Sequence, residues 1–238
     1  MLRLAIPNLV TFLAMYAGLT AIRLAIEGSF AGAAVALAVA GLADRLDGAA
    51  ARLLRAASRF GAEFDSFADV ISFGVAPALV MYLWTLRAWG AWGFLPAVLF
   101  ILCAALRLTR FNLDAGTQYP AHFYTGMTSP PGAAIAAFPL LTALEGQSLG
   151  WPRLVAMAHA PLSAAGFLLL GGILMIAPFP LLDFVHVRIP LPAKLAVLVL
   201  FLLLLAVQPW LSLMLLTPFA LFMLAISPWA LRRRLNPG

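Results

Sequence analysis

Charge is what this chain most lacks. Of 238 residues, 10% are charged and 64% hydrophobic, a balance that excludes a soluble globular protein. Lysine occurs once, as Lys194, against fourteen arginines. Those arginines are scattered toward predicted helix ends and form no basic domain, so the net charge of +6 points to no nucleic-acid partner. Anionic membrane lipids are the better counter-charge. A single cysteine, Cys103, excludes an intrachain disulfide and leaves the redox compartment unread. Internal repeats, low-complexity tracts and a separate polar domain are also missing.

What is there is a succession of apolar stretches near the ~20 residues that cross a bilayer as a helix. Backbone groups inside lipid must be satisfied within the segment, so helices are expected and strands are not. The hydropathy predicts an all-α membrane bundle with spans near 8–26, 31–56, 64–86, 92–110, 131–149, 162–182, 193–207 and 210–229. Pro209 divides the last apolar run, which reads as a tight hairpin or, alternatively, one kinked helix. Residues 1–25 resemble a signal peptide superficially, but Pro7-Asn8 and the lack of a small-residue cleavage site favour a retained first helix. With a cytoplasmic N-terminus, twelve Arg and Lys residues face the cytoplasm and three (Arg23, Arg87, Arg153) face away. That asymmetry follows the positive-inside rule and implies an even number of spans, with both termini on the inner face of the cell (inner) membrane.

The acidic residues are not scattered. Five of nine lie between positions 44 and 69, in DRLDGAAARLLRAASRFGAEFDSFAD. Asp44 and Asp47 lie about 60° apart on a helix, and Asp65 and Asp69 about 40° apart. Gly48 and Ala51 share the face of the first pair, leaving a hollow beside the carboxylates. Each charge at membrane depth costs on the order of 2.5 to 3.5 kcal/mol. Four carboxylates facing one another repel unless hard cations hold them, and oxygen ligands point to Mg²⁺ or Mn²⁺ rather than zinc. The bland alternative is a set of salt bridges to Arg45, Arg52, Arg55 and Arg59, which leaves the small residues at fixed offsets unexplained. A proton or ion transporter also clusters carboxylates, but near mid-membrane and in paired halves of the chain.

The run Asp44-x2-Asp47-Gly48-x2-Ala51-Arg52-x8-Gly61-x3-Asp65-x3-Asp69 resembles the signature of the CDP-alcohol phosphotransferase family at all of its specified positions. IPNLVT (6–11), DSFADVISFGVAPA (65–78), LRLTRFN (106–112) and TGMTSPPGA (125–133) resemble its phosphatidylserine synthase branch; Thr128 departs from that branch, which often carries proline there. The likeness covers roughly the first 140 residues. It implies a six-helix catalytic core (1–182) followed by a C-terminal helical hairpin (183–238), in one integral membrane domain and as a homodimer. It also implies transfer of a phosphatidyl group from CDP-diacylglycerol to L-serine with release of CMP. Other acceptors of the same chemistry are glycerol phosphate, inositol phosphate and choline.

The same likeness implies one or, more fully, two divalent ions held by Asp44, Asp47 and Asp65, with Asp69 near the second ion and acting as general base. Gly48, Ala51, Arg52 and Gly61, with Asn8 and Thr11, would line the nucleotide and diphosphate. Arginine pairs well with phosphate oxygens, although one at a helix end also serves as an interfacial anchor. For an acceptor with a carboxylate, Arg107 and Arg110 are the nearby cations, with Asn112 just beyond and Ser72 one turn after Asp69. Topology alone would also explain both arginines, and packing would explain Ser72. His122 and Tyr124 read as surface residues in a polar loop, His159 and His186 as isolated, and Arg232 to Arg234 as a stop after the last span.

Overall fold

The computed structural model describes residues 2–54, 58–113, 123–182, 199–200 and 203–235. The first helix, α1 (Leu2–Ile26), turns at Gly28 and returns as α2 (Phe30–Leu53). Gly28 takes φ +80°, and the Ser29 N–H reaches back to the Leu24 carbonyl at 2.8 Å. This is the glycine-dependent helix stop that satisfies otherwise orphaned carbonyls. Buried alanines fall at positions 14, 17, 21 and 25 of α1 and 33, 36 and 40 of α2. Side chains this small let the two backbones approach closely, which is how helices associate when lipid offers no hydrophobic drive. Leu9, Phe12, Leu13, Tyr16 and Leu19 point outward. Large apolar groups outside and small ones inside are the distribution that a lipid-facing bundle requires.

The third predicted span is three consecutive pieces. Ser58 caps α3 (Arg59–Asp69), its hydroxyl accepting from the Gly61 N–H at 3.0 Å, so the helix begins earlier than apolarity indicated. After Asp69 the chain widens into a π-helix (Val70–Val75) before α4 (Ala76–Trp84). Pro77 explains the widening. It donates no N–H, and its ring would strike the carbonyl of Phe73 in a regular helix. One inserted residue rotates α4 by about 100° relative to α3, so the acidic face of α3 and the apolar packing face of α4 need not align.

A 3₁₀ segment (Leu86–Gly93), bent at Gly90 with φ +60°, leads into α5 (Phe94–Leu113). Then come α6 (Ser129–Ser148), α7 (Pro152–His159) and α8 (Pro161–Ile176). α7 and α8 meet at a 60° bend. The predicted span 162–182 is therefore too long. Ala177 is extended (ψ 130°) because it precedes Pro178, and the chain then enters a strand. That strand, β2 (Pro180–Leu182), pairs antiparallel with β1 (Phe123–Thr125), a small ribbon that the expectation of helices alone did not include. The polar connection containing residues 114–122 and the stretch 183–198, including His122, Asp183, His186, Arg188 and Lys194, lie outside the described residues. So does most of the predicted helix 193–207, of which 199–200 and 203–207 are helical. The chain leaves helix at Gln208 and resumes as α9 (Pro209–Met214) and α10 (Leu216–Leu235).

Among the described residues four helices, or five counting the bent α7–α8 pair, are long and apolar enough to cross a membrane. The expected count of eight is not confirmed among the described residues. α2 falls short because Asp44, Arg45 and Asp47 occupy its last third, and α6 is built largely from small residues and proline. The protein is nonetheless a helical polytopic bundle. Its two ends differ: the aspartates gather at one, while Trp84, Trp89, Trp92, Trp151 and Trp210 gather at the other. Exposed Trp89, Trp92 and Trp151 mark that end as a membrane–water interface.

Closest approach occurs where a side chain is missing. A Cβ on Gly18 would lie 2.9 Å from the Ser72 Cα, and one on Gly171 would lie 2.8 Å from the Gly132 carbonyl oxygen. Neither backbone atom can yield locally. Gly18→Ala and Gly171→Ala are each expected to destabilise by about 1 to 3 kcal/mol, whereas Gly166→Ala, with nothing within 4 Å, should leave stability unchanged or slightly raised. Thermal unfolding of the three variants in detergent checks this ordering.

Candidate active site

Two helices bring the carboxylates and a third holds them in register. α2 carries Asp44 and Asp47 toward its C-terminal end, and α3 carries Asp65 and Asp69 away from its N-terminal end. The helices run in opposite directions, so Asp47 and Asp65 form the outer level of the site and Asp44 and Asp69 the inner one. α1 packs extensively on both α2 and α3, while α2 and α3 make little backbone contact with each other. A gap bounded by acidic side chains is left between them.

One carboxylate oxygen from each of Asp44, Asp47 and Asp65 lies within 4.8 Å of the others. Asp69 joins the cluster from the inner level, its carboxyl close to that of Asp44. All four expected aspartates thus share one site. Asp47 is 6% exposed, and its Oδ2 is buried with no hydrogen-bond partner. Its carboxylate lies against Thr11, whose hydroxyl donates to the Pro7 carbonyl at 3.1 Å. A buried anionic oxygen without a donor is strongly unfavourable. Three convergent carboxylates with one oxygen left unsatisfied are the donor set that suits a hard divalent cation.

At Gly61 the missing side chain makes room for protein neighbours. A Cβ there would lie 3.2 Å from the Asn8 Oδ1 and 3.1 Å from the Ser58 hydroxyl, so the starts of α1 and α3 meet across this glycine. Gly48 and Ala51 follow Asp47 on α2 and are half-buried. Arg52 lies within α2, but its side chain is outside the described residues. Among the described residues no salt bridge reaches the aspartates; the one formed is Arg23 to Glu27, 3.0 Å, near the opposite end.

The groups expected to meet an acceptor divide. Arg107 is buried at 8% exposure, close enough to Asp44 and Asp69 to attract both electrostatically. Its Nη1 donates to the Ser129 hydroxyl at 2.9 Å, and its guanidinium sits over the Phe111 ring, 5.3 Å from the centroid. Arg110 instead donates to the Ile176 carbonyl at 2.8 Å, tying α5 to α8. Asn112 bonds the Ser66 hydroxyl at 3.2 Å, tying α5 to α3. Ser72 is fully buried against α1 and donates to the Ala14 carbonyl at 3.2 Å. Ser129 was not singled out from sequence; its signal was a hydroxyl between Thr128 and Pro130 at a helix start within TGMTSPPGA.

Comparison with known proteins agrees with this geometry. The CDP-alcohol phosphatidyltransferase family model matches residues 4–226, well beyond the roughly 140 residues that the motifs covered. A CDP-diacylglycerol–serine O-phosphatidyltransferase of Mycobacterium bovis is 40% identical over 174 residues, 71% of this chain and 60% of that protein. A protein of the same name from Helicobacter pylori is 38% identical over 135 residues, 57% of this chain and 56% of its own. An archaetidylserine synthase of Methanothermobacter thermautotrophicus is 37% identical over 132 residues, 55% of each chain. This chain therefore spans 60% or less of the length of these three relatives. With the acidic signature assembled in one site and the family match running from residue 4 to residue 226, the chain belongs to the CDP-alcohol phosphatidyltransferase family.

Proposed function

We propose that this protein transfers the phosphatidyl group of CDP-diacylglycerol to the hydroxyl of L-serine, forming phosphatidylserine and CMP. The observation that carries the reading is the convergence of Asp44, Asp47 and Asp65 within 4.8 Å, beside Asp69. The activity for which its relatives are named supports serine as acceptor over glycerol phosphate, inositol phosphate or choline. Family membership leaves the transporter alternative without support.

In this reading Asp44, Asp47 and Asp65 hold one or two divalent ions, Mg²⁺ or Mn²⁺. Such ions, when bound, supply positive charge that neutralises the diphosphate and stabilises the departing CMP. Gly48, Ala51 and Gly61 leave backbone exposed for the nucleotide, Asn8 and Thr11 border it from α1, and Arg52 pairs with phosphate oxygens. Asp69 accepts the serine hydroxyl proton as the serine oxygen bonds to the lipid-bearing phosphorus. The bond from that phosphorus to the CMP oxygen breaks, and the electron pair leaves with CMP. Arg107 faces the acceptor carboxylate, and Ser72 lies one turn deeper. Arg110 and Asn112 enter through the helix ends that they tie down.

The aspartate end of the bundle is assigned to the cytoplasmic face of the inner membrane, with both termini there. The arginine asymmetry and the position of Arg23, Arg87 and Arg153 toward the tryptophan-rich end support this orientation. The lipid tails then enter from the bilayer and serine from the cytosol. A homodimer, implied by the family resemblance, belongs to the same reading.

The direct test supplies purified protein with CDP-diacylglycerol, Mg²⁺ or Mn²⁺ and each candidate alcohol in turn. CMP release is expected with L-serine and is expected to stop on chelation and resume on adding back the metal; release only with another acceptor would refute serine transfer. Asp69→Asn should lower turnover by about 10² to 10⁴-fold while CDP-diacylglycerol still binds; near-normal turnover would remove Asp69 as base. Asp65→Asn should weaken Mn²⁺ binding by at least about tenfold when titrated by electron paramagnetic resonance. Unchanged affinity would dissociate Asp65 from the metal site.

A further inference from the structure

We infer that Ser129 is a positioning residue for Arg107, fixing the guanidinium at the inner level of the site so that it can receive the anionic group of the acceptor. The inference rests on the serine-transfer reading and adds a residue that none of the signature motifs assigns a role.

The geometry is specific. Ser129 is completely buried at the first turn of α6. Its hydroxyl accepts from the Arg107 Nη1 at 2.9 Å, and the Phe111 ring lies against the guanidinium 5.3 Å away. One contact acts on an edge of the planar group and the other on its face, which together restrict both tilt and swing of a side chain that is otherwise flexible. The Ser129 backbone is itself constrained. Pro130 and Pro131 come directly after it; neither carries an N–H, so the buried start of α6 leaves fewer donors to satisfy. The Gly132 N–H closes the turn on the Thr128 carbonyl at 3.2 Å.

Without such a restraint Arg107 would be drawn toward the carboxylates of Asp44 and Asp69, to which it is already electrostatically coupled. A collapsed ion pair would neutralise the aspartates needed by the metal and consume the cation needed by the acceptor. The Ser129 hydroxyl holds the charge near the aspartates without surrendering it to them. Ser129 lies on α6 and the carboxylates on α2 and α3, so the restraint comes from outside the acidic signature.

The test is a double-substitution cycle in the full-length protein with saturating Mn²⁺, reading KM for L-serine and for CDP-diacylglycerol separately. Ser129→Ala is expected to raise KM for serine about tenfold, the loss of one hydrogen bond to a charged group, with less than about twofold change for CDP-diacylglycerol. In an Arg107→Ala background, adding Ser129→Ala should change the serine KM by less than about twofold, because its effect passes through Arg107. Ser129→Thr, which keeps the hydroxyl, should restore the low serine KM. Equal shifts in both KM values, or independent effects in the double variant, overturn the positioning role while leaving serine transfer intact. An unsubstituted protein that releases no CMP with any acceptor overturns both readings together.

Discussion

Everything in this molecule answers to the need to keep four carboxylates close together at one end of a membrane bundle. Mutual repulsion and the loss of water both oppose that arrangement. The chain meets the difficulty by mounting the carboxylates on two helices that barely touch and bracing both against α1. The brace works because its inward face is alanine and glycine, down to the contact between Gly18 and Ser72. Among the described residues the Asp47 Oδ2 has no donor, a feature that suits a site able to hold a hard cation.

The end of α5 is the second organising feature. Within two turns it sends Arg107 to Ser129 on α6, Arg110 to Ile176 on α8 and Asn112 to Ser66 on α3. Three helices that surround the gap are pinned through one helix terminus. Among the described residues, side-chain contacts between helices of this kind are few, and their concentration beside the aspartates keeps that end precise. The opposite end is set by tryptophans at the interface and tolerates irregular backbone, including the bend at Gly90 and the break between α7 and α8.

Much of this could be read from residues in order. Carboxylates at spacings of three and four, with Gly48, Ala51 and Gly61 at fixed offsets, named the site, and the structure assembles all four aspartates there. Apolar length located the helices to within a few residues for α2, α5 and α6 and for the end of α1. It failed where proline and capping override hydropathy: Ser58 starts α3 early, Pro77 forces a π-turn, and Pro178 ends α8 before residue 182. The ribbon between residues 123–125 and 180–182 was invisible because three-residue strands have no periodic signal, and their pairing depends on helices between them returning to the same end. Among the acceptor candidates, residue type could not separate Arg107 from Arg110. Both are arginines one turn apart on α5, yet one faces the aspartates and the other caps α8.

By itself the sequence determined that this is a helical membrane protein with its carboxylates concentrated on two neighbouring helices, because apolar length and carboxylate spacing are local properties that no packing can undo. The tertiary structure decided which groups surround that site, since burial, the pairing of Arg107 with Ser129 and the gap between α2 and α3 arise only when distant helices meet. Helix spacing says which residues share a face; only packing says what that face looks upon.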